Sequence, residues 1–349
     1  MKVQVALNER SYEVVLLEDA RLEVAQFVRT RCPKAMKIVV VTSSSLRNQS
    51  WFDFVDDMGV EVLEVPEGES AKNFQALEVL CEQLADRRLS RDDVVLSVGG
   101  GAITDMAGFA AAVYLRGIDV IHVPTTLVGQ VDAAIGGKTA INLSAGKNLV
   151  GAFHQPVGVF CDFATLLTLP ERERLSGLGE IAKCWLLEDR DVSSLESTSL
   201  ANLIEMSVRL KARIVSSDEF EGSKRALLNY GHTLAHAIEL LALGRDVDEL
   251  RHGEAVAVGL AFAARLAYAL DRVDADVVAR HDEVLRTLGL ALQVPEGLDS
   301  VDIVRAMGHD KKAHHDLTFV LAGRDGYEVV AGVDTELVTR VLDNFRGEQ

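Results

Sequence analysis

The sequence contains few cysteines and no long apolar run. Its four cysteines are widely separated and form no CxxC pair, so we expect reduced, mostly buried thiols rather than a disulfide framework. They are Cys32, Cys81, Cys161 and Cys184. No apolar run approaches the roughly 20 residues that a bilayer span requires. The first residues alternate like a strand rather than forming a secretion signal, and we therefore expect a cytoplasmic protein.

Positive charge is also scarce. The 349 residues include 36 lysines and arginines against 53 aspartates and glutamates, which gives a formal net charge of -17 at pH 7. A field of this sign repels nucleic-acid phosphates and anionic membrane surfaces. We therefore expect neither nucleic acid nor membrane as a partner, and an anionic ligand would need a local group of cations.

The apolar content of 48% is enough for two hydrophobic cores in a chain of this length. In the first half, short β-branched runs alternate with helical patterns, which predicts an α/β domain of parallel strands over 1–165. The runs lie at 37–42, 60–65, 93–98, 119–123 and 157–162. Long amphipathic or apolar segments then predict a mostly α-helical domain over 166–349. Two short runs at 317–323 and 326–332 predict a small hairpin within it.

Three glycines follow one predicted strand directly. Gly99, Gly100 and Gly101 precede a helix-forming stretch that contains Asp105. Glycines allow backbone N–H groups at a helix N-terminus to approach a phosphate. A simple turn between a strand and a helix explains the same glycines equally well, so the motif indicates a phosphate site without settling it.

A second glycine-broken segment follows the next strand and carries many polar side chains. Hydroxyl, amide and ammonium groups of this kind can converge on a polyhydroxylated anion. Because apolar strands flank the segment on both sides, we interpret it as an irregular ligand-binding segment rather than a solvated loop. Its polar and glycine positions are Thr125, Thr126, Asp132, Gly136, Gly137, Lys138, Lys147 and Asn148.

Paired histidines form the sharpest local motif. His232 and His236 lie one helical turn apart in an otherwise apolar stretch, so they share a helix face. Glu180 lies on a predicted helix and His252 opens another one. Glu180, one of the paired histidines and His252 would give a donor set with open positions, suited to Zn²⁺ as a Lewis acid. A structural pair is the more common role of two such histidines, and the spacing alone does not exclude it.

Several basic residues are candidates for an anion pocket in a chain of strongly negative charge. Arginine and lysine bind carboxylate and phosphate directly. Each of these residues taken alone is more often a solvated surface charge, and only their meeting at one site would change that interpretation. The candidates are Lys183, Lys211, Arg225 and the run Asp310-Lys311-Lys312.

Six blocks taken in order resemble the sugar phosphate cyclases, and the 3-dehydroquinate synthase family in particular. The blocks are GGGAITDMAGFAAAVYLRG, PTTLVGQVDAAIGGKTAINLSAGKNLVGAFHQP, GLGEIAK, RALLNYGHTLAHAIE, HGEAVAVG and DKK. The resemblance implies an N-terminal Rossmann-like parallel-sheet domain that binds NAD. It also implies a mostly α-helical metal- and substrate-binding domain and a homodimer.

Motif positions carry the family's metal and NAD sites onto this chain. The resemblance assigns Glu180, His232 and His252 to a Zn²⁺ or Co²⁺ ion. It assigns NAD to the following residues: Glu69, Lys72, Gly99, Gly100, Gly101, Asp105, Thr125, Thr126, Asp132, Lys138, Lys147, Asn148, Thr168 and Leu169.

The same motif positions imply a substrate site. Lys211 and Arg225 would bind a substrate carboxylate. Substrate hydroxyls and anionic groups would be held by Asp132, Lys138, Asn148 and Lys183. The phosphate would be bound by Asn229, His236, Lys312 and the partner subunit's Arg116.

The implied reaction converts 3-deoxy-D-arabino-heptulosonate 7-phosphate to 3-dehydroquinate and phosphate, a step of the shikimate pathway. It proceeds by transient oxidation with NAD, β-elimination of phosphate, re-reduction and intramolecular aldol closure. One rival is a cyclase of secondary metabolism that acts on an amino analogue or another sugar phosphate. The others are a metal-dependent polyol dehydrogenase, which would accumulate NADH, and a catalytically inactive regulator.

One departure from the family pattern concerns NAD. The usual sequence after the strand at 37–42 is Thr-Asp-x-Asn, whereas this chain has Thr42-Ser43-Ser44-Ser45. The acidic residue that would bind the adenosine ribose is therefore absent or supplied from elsewhere in the chain.

Overall fold

The computed structural model describes residues 1–144, 146–242, 250–308 and 316–348. They form two compact units. The first consists of Met1–Pro170 with Val208–Phe220, and the second of Glu171–Ser207 with Glu221–Gln349. The first unit therefore includes a segment from the second half of the chain, in addition to the continuous N-terminal part that the sequence pattern predicts.

A seven-stranded sheet forms the centre of the first unit, and all five predicted runs are strands of it. Its strand order is β1-β2-β9-β6-β5-β3-β4, parallel throughout except for the antiparallel pair β1 and β2. The strands of the unit are β1 Lys2–Val5, β2 Tyr12–Leu17, β3 Ile38–Thr42, β4 Glu61–Glu64, β5 Val94–Gly99, β6 Asp119–Pro124, β7 Lys138–Leu143, β8 Gly146–Phe153 and β9 Gly158–Asp162. The Rossmann-like prediction is confirmed.

Helices cover both faces of this sheet, which explains its continuous apolar strands. The helices are α1 Val24–Arg31, α2 Asp53–Met58, α3 Phe74–Asp86 and α4 Gly101–Val113. Alternate residues of β3 point to opposite faces, because side chains alternate along a strand. Val39 and Val41 belong to the core that contains Leu80 of α3. Val40 belongs to the other core, with Val55 of α2.

The polar segment after β6 is not irregular throughout, as its glycines had suggested. From Lys138 onward that interpretation is wrong, because β7 and β8 form an antiparallel hairpin. In β7 the buried residues Thr139 and Ile141 alternate with more exposed ones, and the hairpin contacts α4. This period-2 pattern gives one face of the strand a place in the core.

The second unit is mostly helical, as predicted. Its elements are α5 Glu171–Leu187, α6 Leu200–Ser217, whose last ten residues belong to the first unit, α7 His232–Ala242, α8 His252–Ala269, α9 Ala275–Thr287, α10 Ser300–Met307, β10 Asp316–Gly323, β11 Gly326–Asp334 and α11 Thr335–Gly347. Helix α8 is apolar on nearly every face and contacts α5, α7, α9 and α11, so it is the buried centre of the unit. Strands β10 and β11 form the expected hairpin. No helix of the described residues is long and apolar enough to cross a membrane.

Candidate functional site

Three helices of the second unit bring a carboxylate and two imidazoles together. Glu180 lies within α5, and His232 and His252 are the first residues of α7 and α8. Oε1 of Glu180 lies 3.6 Å from Nε2 of His232 and 3.3 Å from Nε2 of His252. One donor atom from each residue lies within 4.8 Å of the other two. Three residues that are distant in the chain, from Glu180 to His252, therefore meet at one site.

Two glycines allow this meeting. A Cβ atom on Gly179 would lie 2.0 Å from the carbonyl oxygen of Gly253, and a Cβ on Gly253 would lie 1.6 Å from that of Ser176. Ser176 also accepts a hydrogen bond from the Gly253 N–H, at 3.1 Å. Because α5 and α8 touch through their backbones beside Glu180 and His252, these two side chains reach each other.

The protonation of His232 leaves a ring nitrogen available to a cation. Its Nδ1 lies 3.1 Å from the carbonyl oxygen of Tyr230, which can only accept a hydrogen bond, so Nδ1 carries the proton. Burial and the nearby Lys183 ammonium lower the pKa of His232 to about 3, so the ring is neutral. Its Nε2 lone pair then faces a carboxylate oxygen of Glu180. Two acceptors facing each other favour a cation between them.

The surroundings of Glu180 suit the role of a metal ligand. Only 1% of the residue is exposed, and neither carboxylate oxygen accepts a well-aligned hydrogen bond from the described part of the chain. Lys183 forms an ion pair with it. Although burial opposes ionisation, Lys183 and the two histidines hold the pKa of Glu180 well below its usual value. Two imidazoles and one carboxylate, with remaining positions open, are a donor set suited to catalytic Zn²⁺ or Co²⁺.

A second carboxylate fixes the ring of His252. Nδ1 of His252 lies 3.3 Å from Oε2 of Glu239, so the ring is held between Glu239 and Glu180. Against the effect of burial, these two carboxylates raise the pKa of His252 to about 10. Metal-binding histidines commonly donate their other N–H to such a carboxylate. Sequence analysis missed Glu239, although it lies seven residues after His232 on the same helix face.

His236 lies beside the group on α7. Its ring centroid is 5.3 Å from that of His232 and 6.2 Å from that of His252. Unlike His232, it is exposed. This position fits the substrate-binding role that the resemblance assigns to it better than a role in the hydrophobic core.

The buried cations of the described residues all belong to the predicted site sets. Lysine and arginine are almost never fully buried unless they are paired, and three of the four buried cations pair with a carboxylate of the chain. They are Lys72, Lys183, Lys211 and Arg225, each at most 6% exposed. Their burial argues against the solvated-surface interpretation for each of them.

Other predicted substrate residues are more dispersed. Asn229 of the second unit donates a hydrogen bond of 2.7 Å to Glu221. Arg116 follows Leu115 in a turn where both residues have positive φ. Asp310, Lys311 and Lys312 lie outside the described residues.

In the first unit, Lys72 connects two predicted NAD residues. Its Nζ lies 2.5 Å from Oδ2 of Asp105 and also donates a hydrogen bond to Oδ1 of Asn148. Burial raises the pKa of Asp105 to about 6, although Lys72 opposes this effect. The structure therefore brings Lys72, Asp105 and Asn148 together.

Asn142 is a residue of this cluster that sequence analysis missed. Its side chain donates a hydrogen bond of 2.7 Å to Glu69 and accepts one of 2.8 Å from the Asn148 N–H. Its own N–H donates to the Lys72 carbonyl at 2.8 Å. Asn142 thereby joins the β7–β8 hairpin to the segment that carries Glu69 and Lys72.

The glycine turn lies where the motif predicted it, between β5 and α4. A Cβ on Gly100 would meet Thr126 at 2.8 Å, and one on Gly101 would meet Ala133 at 3.1 Å. The Thr125 N–H donates to the Gly99 carbonyl at 3.0 Å. The turn and the start of the following polar segment are therefore packed together.

Asp132 and Lys211 form a second contact in the first unit. Nζ of Lys211 lies 2.5 Å from Oδ1 of Asp132 and 2.7 Å from its carbonyl oxygen. Asp132 is part of a π-helical turn, Gly129–Ala133. Such turns are frequent at functional sites.

The remaining predicted NAD residues are exposed or near the surface. Lys138 and Lys147 are exposed on the hairpin. Thr168 accepts a hydrogen bond of 2.9 Å from Nε1 of Trp51, and Leu169 follows it.

The fold, the family models and the solved structures place the chain in the class of sugar phosphate cyclases. The chain is similar to a solved 2-deoxy-scyllo-inosose synthase complexed with carbaglucose-6-phosphate, NAD⁺ and Co²⁺, with a TM-score of 0.86, 28% identity and 99% of each chain covered. Models of the 3-dehydroquinate synthase N-terminal and C-terminal regions match residues 62–176 and 177–313. The chain belongs to the 3-dehydroquinate synthase family.

Two curated relatives support this assignment. A protein of Amycolatopsis mediterranei (strain S699), named "Putative aminodehydroquinate synthase", is 48% identical over 98% of this chain and 94% of its own length. A 3-dehydroquinate synthase of Corynebacterium pseudotuberculosis (strain C231) is 45% identical over 84% of this chain and 81% of its own length. Both chains align over most of their length, so the likeness is not confined to one motif.

Proposed function

We propose that the chain is a 3-dehydroquinate synthase that converts 3-deoxy-D-arabino-heptulosonate 7-phosphate to 3-dehydroquinate and phosphate. The observation that carries the proposal is the group of Glu180, His232 and half-buried His252 beside Lys183, in a member of this family. The buried substrate candidates Lys183, Lys211 and Arg225 support it further, because the substrate has both a carboxylate and a phosphate.

Each unit has its own part in the proposal. The first unit would bind NAD through the Gly99–Gly101 turn and the Lys72 cluster, and the second would bind the metal. NAD bound there would supply reversible hydride transfer and would not be consumed. Glu180, His232 and His252 would hold a Zn²⁺ or Co²⁺ ion, which would supply Lewis-acid chemistry there.

The protein's own residues mainly orient groups and balance charge. Lys183 has three N–H donors and almost no exposure, so it can hold a substrate hydroxyl in one orientation. Arg225 would bind the substrate carboxylate through its planar pair of donors. Glu239 would hold the His252 ring in place without contacting substrate. The departing phosphate would need cations that stabilise its charge.

A second candidate function is the same reaction on the amino analogue of the substrate, as part of secondary metabolism. It is favoured by the 48% identity to the Amycolatopsis protein over almost the whole chain. The candidate residues do not distinguish the two substrates, since both carry the carboxylate and the phosphate.

Product analysis of the purified full chain tests these alternatives. The chain is incubated with catalytic NAD⁺, Zn²⁺ or Co²⁺, and either the keto-acid phosphate or its amino analogue, and products are identified by mass spectrometry. We expect 3-dehydroquinate, with a kcat/KM for the keto-acid phosphate at least tenfold above that for the analogue. The reverse preference would replace our proposal with the amino-analogue reaction, and no product from either would contradict both.

We also propose that the chain acts as a cytoplasmic homodimer. The β7–β8 hairpin exposes Leu143, Leu149 and Phe153. Among the described residues, β8 pairs with β7 alone, so its other edge is open. An exposed apolar edge strand is a surface that another chain can cover. We expect a second copy to cover it, and sedimentation of the full chain at the monomer mass would contradict this.

A further inference from the structure

The carboxyl end of β3 lacks the acidic residue that usually binds the adenosine ribose of a dinucleotide. Thr42 ends the strand and Ser43, Ser44 and Ser45 follow. Strand β4 lies parallel to β3, with Thr42 opposite Glu64, and the Val65 N–H donates to the Thr42 carbonyl at 2.9 Å. The segments that follow β3 and β4 therefore start side by side, at the same sheet edge as the glycine turn after β5.

Glu67, from the segment after β4, places its carboxylate against these serines. The Ser45 N–H donates to Oε1 at 3.0 Å, and the Ser45 hydroxyl donates to Oε2 at 3.0 Å. The Ser44 hydroxyl makes a longer contact with Oε1, at 3.4 Å. Although partial burial opposes ionisation, these hydrogen bonds lower the pKa of Glu67 below its ordinary value. Glu67 is therefore an anion at neutral pH, and it stays exposed to solvent.

We propose that Glu67 binds the hydroxyls of the adenosine ribose and gives the chain its preference for NAD over NADP. This inference rests on the proposed binding of NAD. A carboxylate offers about four lone-pair positions, and the serines leave room for a further donor. The same anion would repel the 2′-phosphate that distinguishes NADP from NAD.

The charge around Glu67 supports this selectivity. Arg47, two residues after Ser45, could attract a 2′-phosphate, but it forms an ion pair with Glu64, at 2.9 Å. The carboxylates of Glu64 and Glu67 outnumber the one guanidinium of Arg47, so the net charge of these three groups is negative. A serine turn without Glu67 would present only hydroxyls, which do not discriminate against a phosphate.

Calorimetric titration of the full chain with NAD⁺ and with NADP⁺ tests the inference without measuring turnover. The variant is Glu67→Gln, which keeps the size of the side chain and an oxygen for the Ser45 N–H. The matched control is Glu61→Gln, which removes the same charge from the opposite end of β4, where Glu61 pairs with Arg87. Glu67→Gln should raise the Kd for NAD⁺ by about tenfold, as expected for a lost hydrogen bond to a charged group.

The two cofactors should respond differently. We expect Glu67→Gln not to weaken NADP⁺ binding, so the preference for NAD⁺ falls by at least about tenfold, while Glu61→Gln changes neither Kd. A Kd for NAD⁺ within twofold of the original, or an equal loss for both cofactors, would overturn the inference and leave Glu67 a support of the serine turn. Failure of the unsubstituted chain to bind NAD⁺ would instead contradict the proposed function, and the inference with it.

Discussion

Each histidine of the candidate metal group has a defined partner at its second ring nitrogen. Tyr230 fixes His232 and Glu239 fixes His252. Such partners fix the tautomer and the orientation of a ligand ring before an ion binds. The role of Glu239 could not be predicted from spacing, because it depends on how α7 packs against α8. The grouping of Glu180, His232 and His252 was implied by the family motifs and not by their separation in the chain.

His232→Ala tests the metal group. We expect metal affinity and phosphate release to fall by more than about 100-fold, because the substitution removes one of the three candidate metal ligands. Circular dichroism should show an intact fold. Metal content by mass spectrometry and turnover check this. The control is His154→Ala, which removes a ring that contacts the Ile118 carbonyl in the first unit. Retained zinc with near-normal turnover in the His232 variant would refute the assignment.

Arg225→Ala tests carboxylate binding. Because a carboxylate partner acts mainly through binding, we expect KM for the keto-acid phosphate to rise about tenfold or more with a smaller change in kcat. Arg225→Lys should give an intermediate KM, since it keeps the charge and loses the paired donors. Steady-state kinetics on variants with native circular dichroism measure both constants. An unchanged KM would count against Arg225 as the carboxylate partner.

Asp105 should make stability depend on pH. Burial raises its pKa from the ordinary 3.8 to about 6, with Lys72 opposing and Glu69 and Asp132 adding to the rise. Between these two pH values the folded chain holds a proton that the unfolded chain has lost, so this residue's contribution to the free energy of unfolding falls as pH rises. Urea unfolding of the chain and of Asp105→Asn from pH 4 to 6 measures it. Equal pH slopes would contradict the raised pKa.

Among the secondary-structure elements, the crossing of α5 and α8 determines the metal group more than any single side chain does. We expect Gly179→Ala to force the helices apart at Glu180, since its Cβ would lie 2.0 Å from the Gly253 carbonyl oxygen. Overpacking should cost about 1–3 kcal/mol of stability and lower metal affinity at least about tenfold, with every ligand still present.

The control for this variant is Gly347→Ala, near the end of α11, where an added Cβ meets nothing within 4 Å. Thermal unfolding and metal titration of both variants provide the comparison. If Gly179→Ala matches Gly347→Ala in metal affinity, the helix crossing does not position the ligands.

The sequence predicted those elements whose pattern is local. The buried runs of β3, β5 and β6 are continuous and β-branched, so their strand character needed no tertiary information. The β7–β8 hairpin was missed because glycines precede and interrupt it, and its alternation is visible only once β7 has a core to face. Asn142 was missed because its hydrogen-bond partners, Glu69 and Lys72, belong to a segment that is distant in the chain.

For the whole molecule, the distribution of charge is more informative than its sum. The net charge of -17 would repel an anionic ligand, yet four cations are buried at predicted binding residues. Three of them pair with carboxylates of the chain, and all four belong to the residue sets that the family motifs assign to NAD or to an acidic sugar phosphate. This pattern favours a cyclase acting on an acidic sugar phosphate over a polyol dehydrogenase, whose substrate is uncharged.

Phosphate release and NADH absorbance, followed together on the purified full chain, test the central claim most directly. The sample contains 3-deoxy-D-arabino-heptulosonate 7-phosphate, a catalytic amount of NAD⁺ and Zn²⁺ or Co²⁺. Our account predicts many equivalents of phosphate per NAD⁺, no net NADH, and loss of release when a chelator is added. NADH formed in step with turnover of a simple polyol, with no phosphate released from the sugar phosphate, would contradict it.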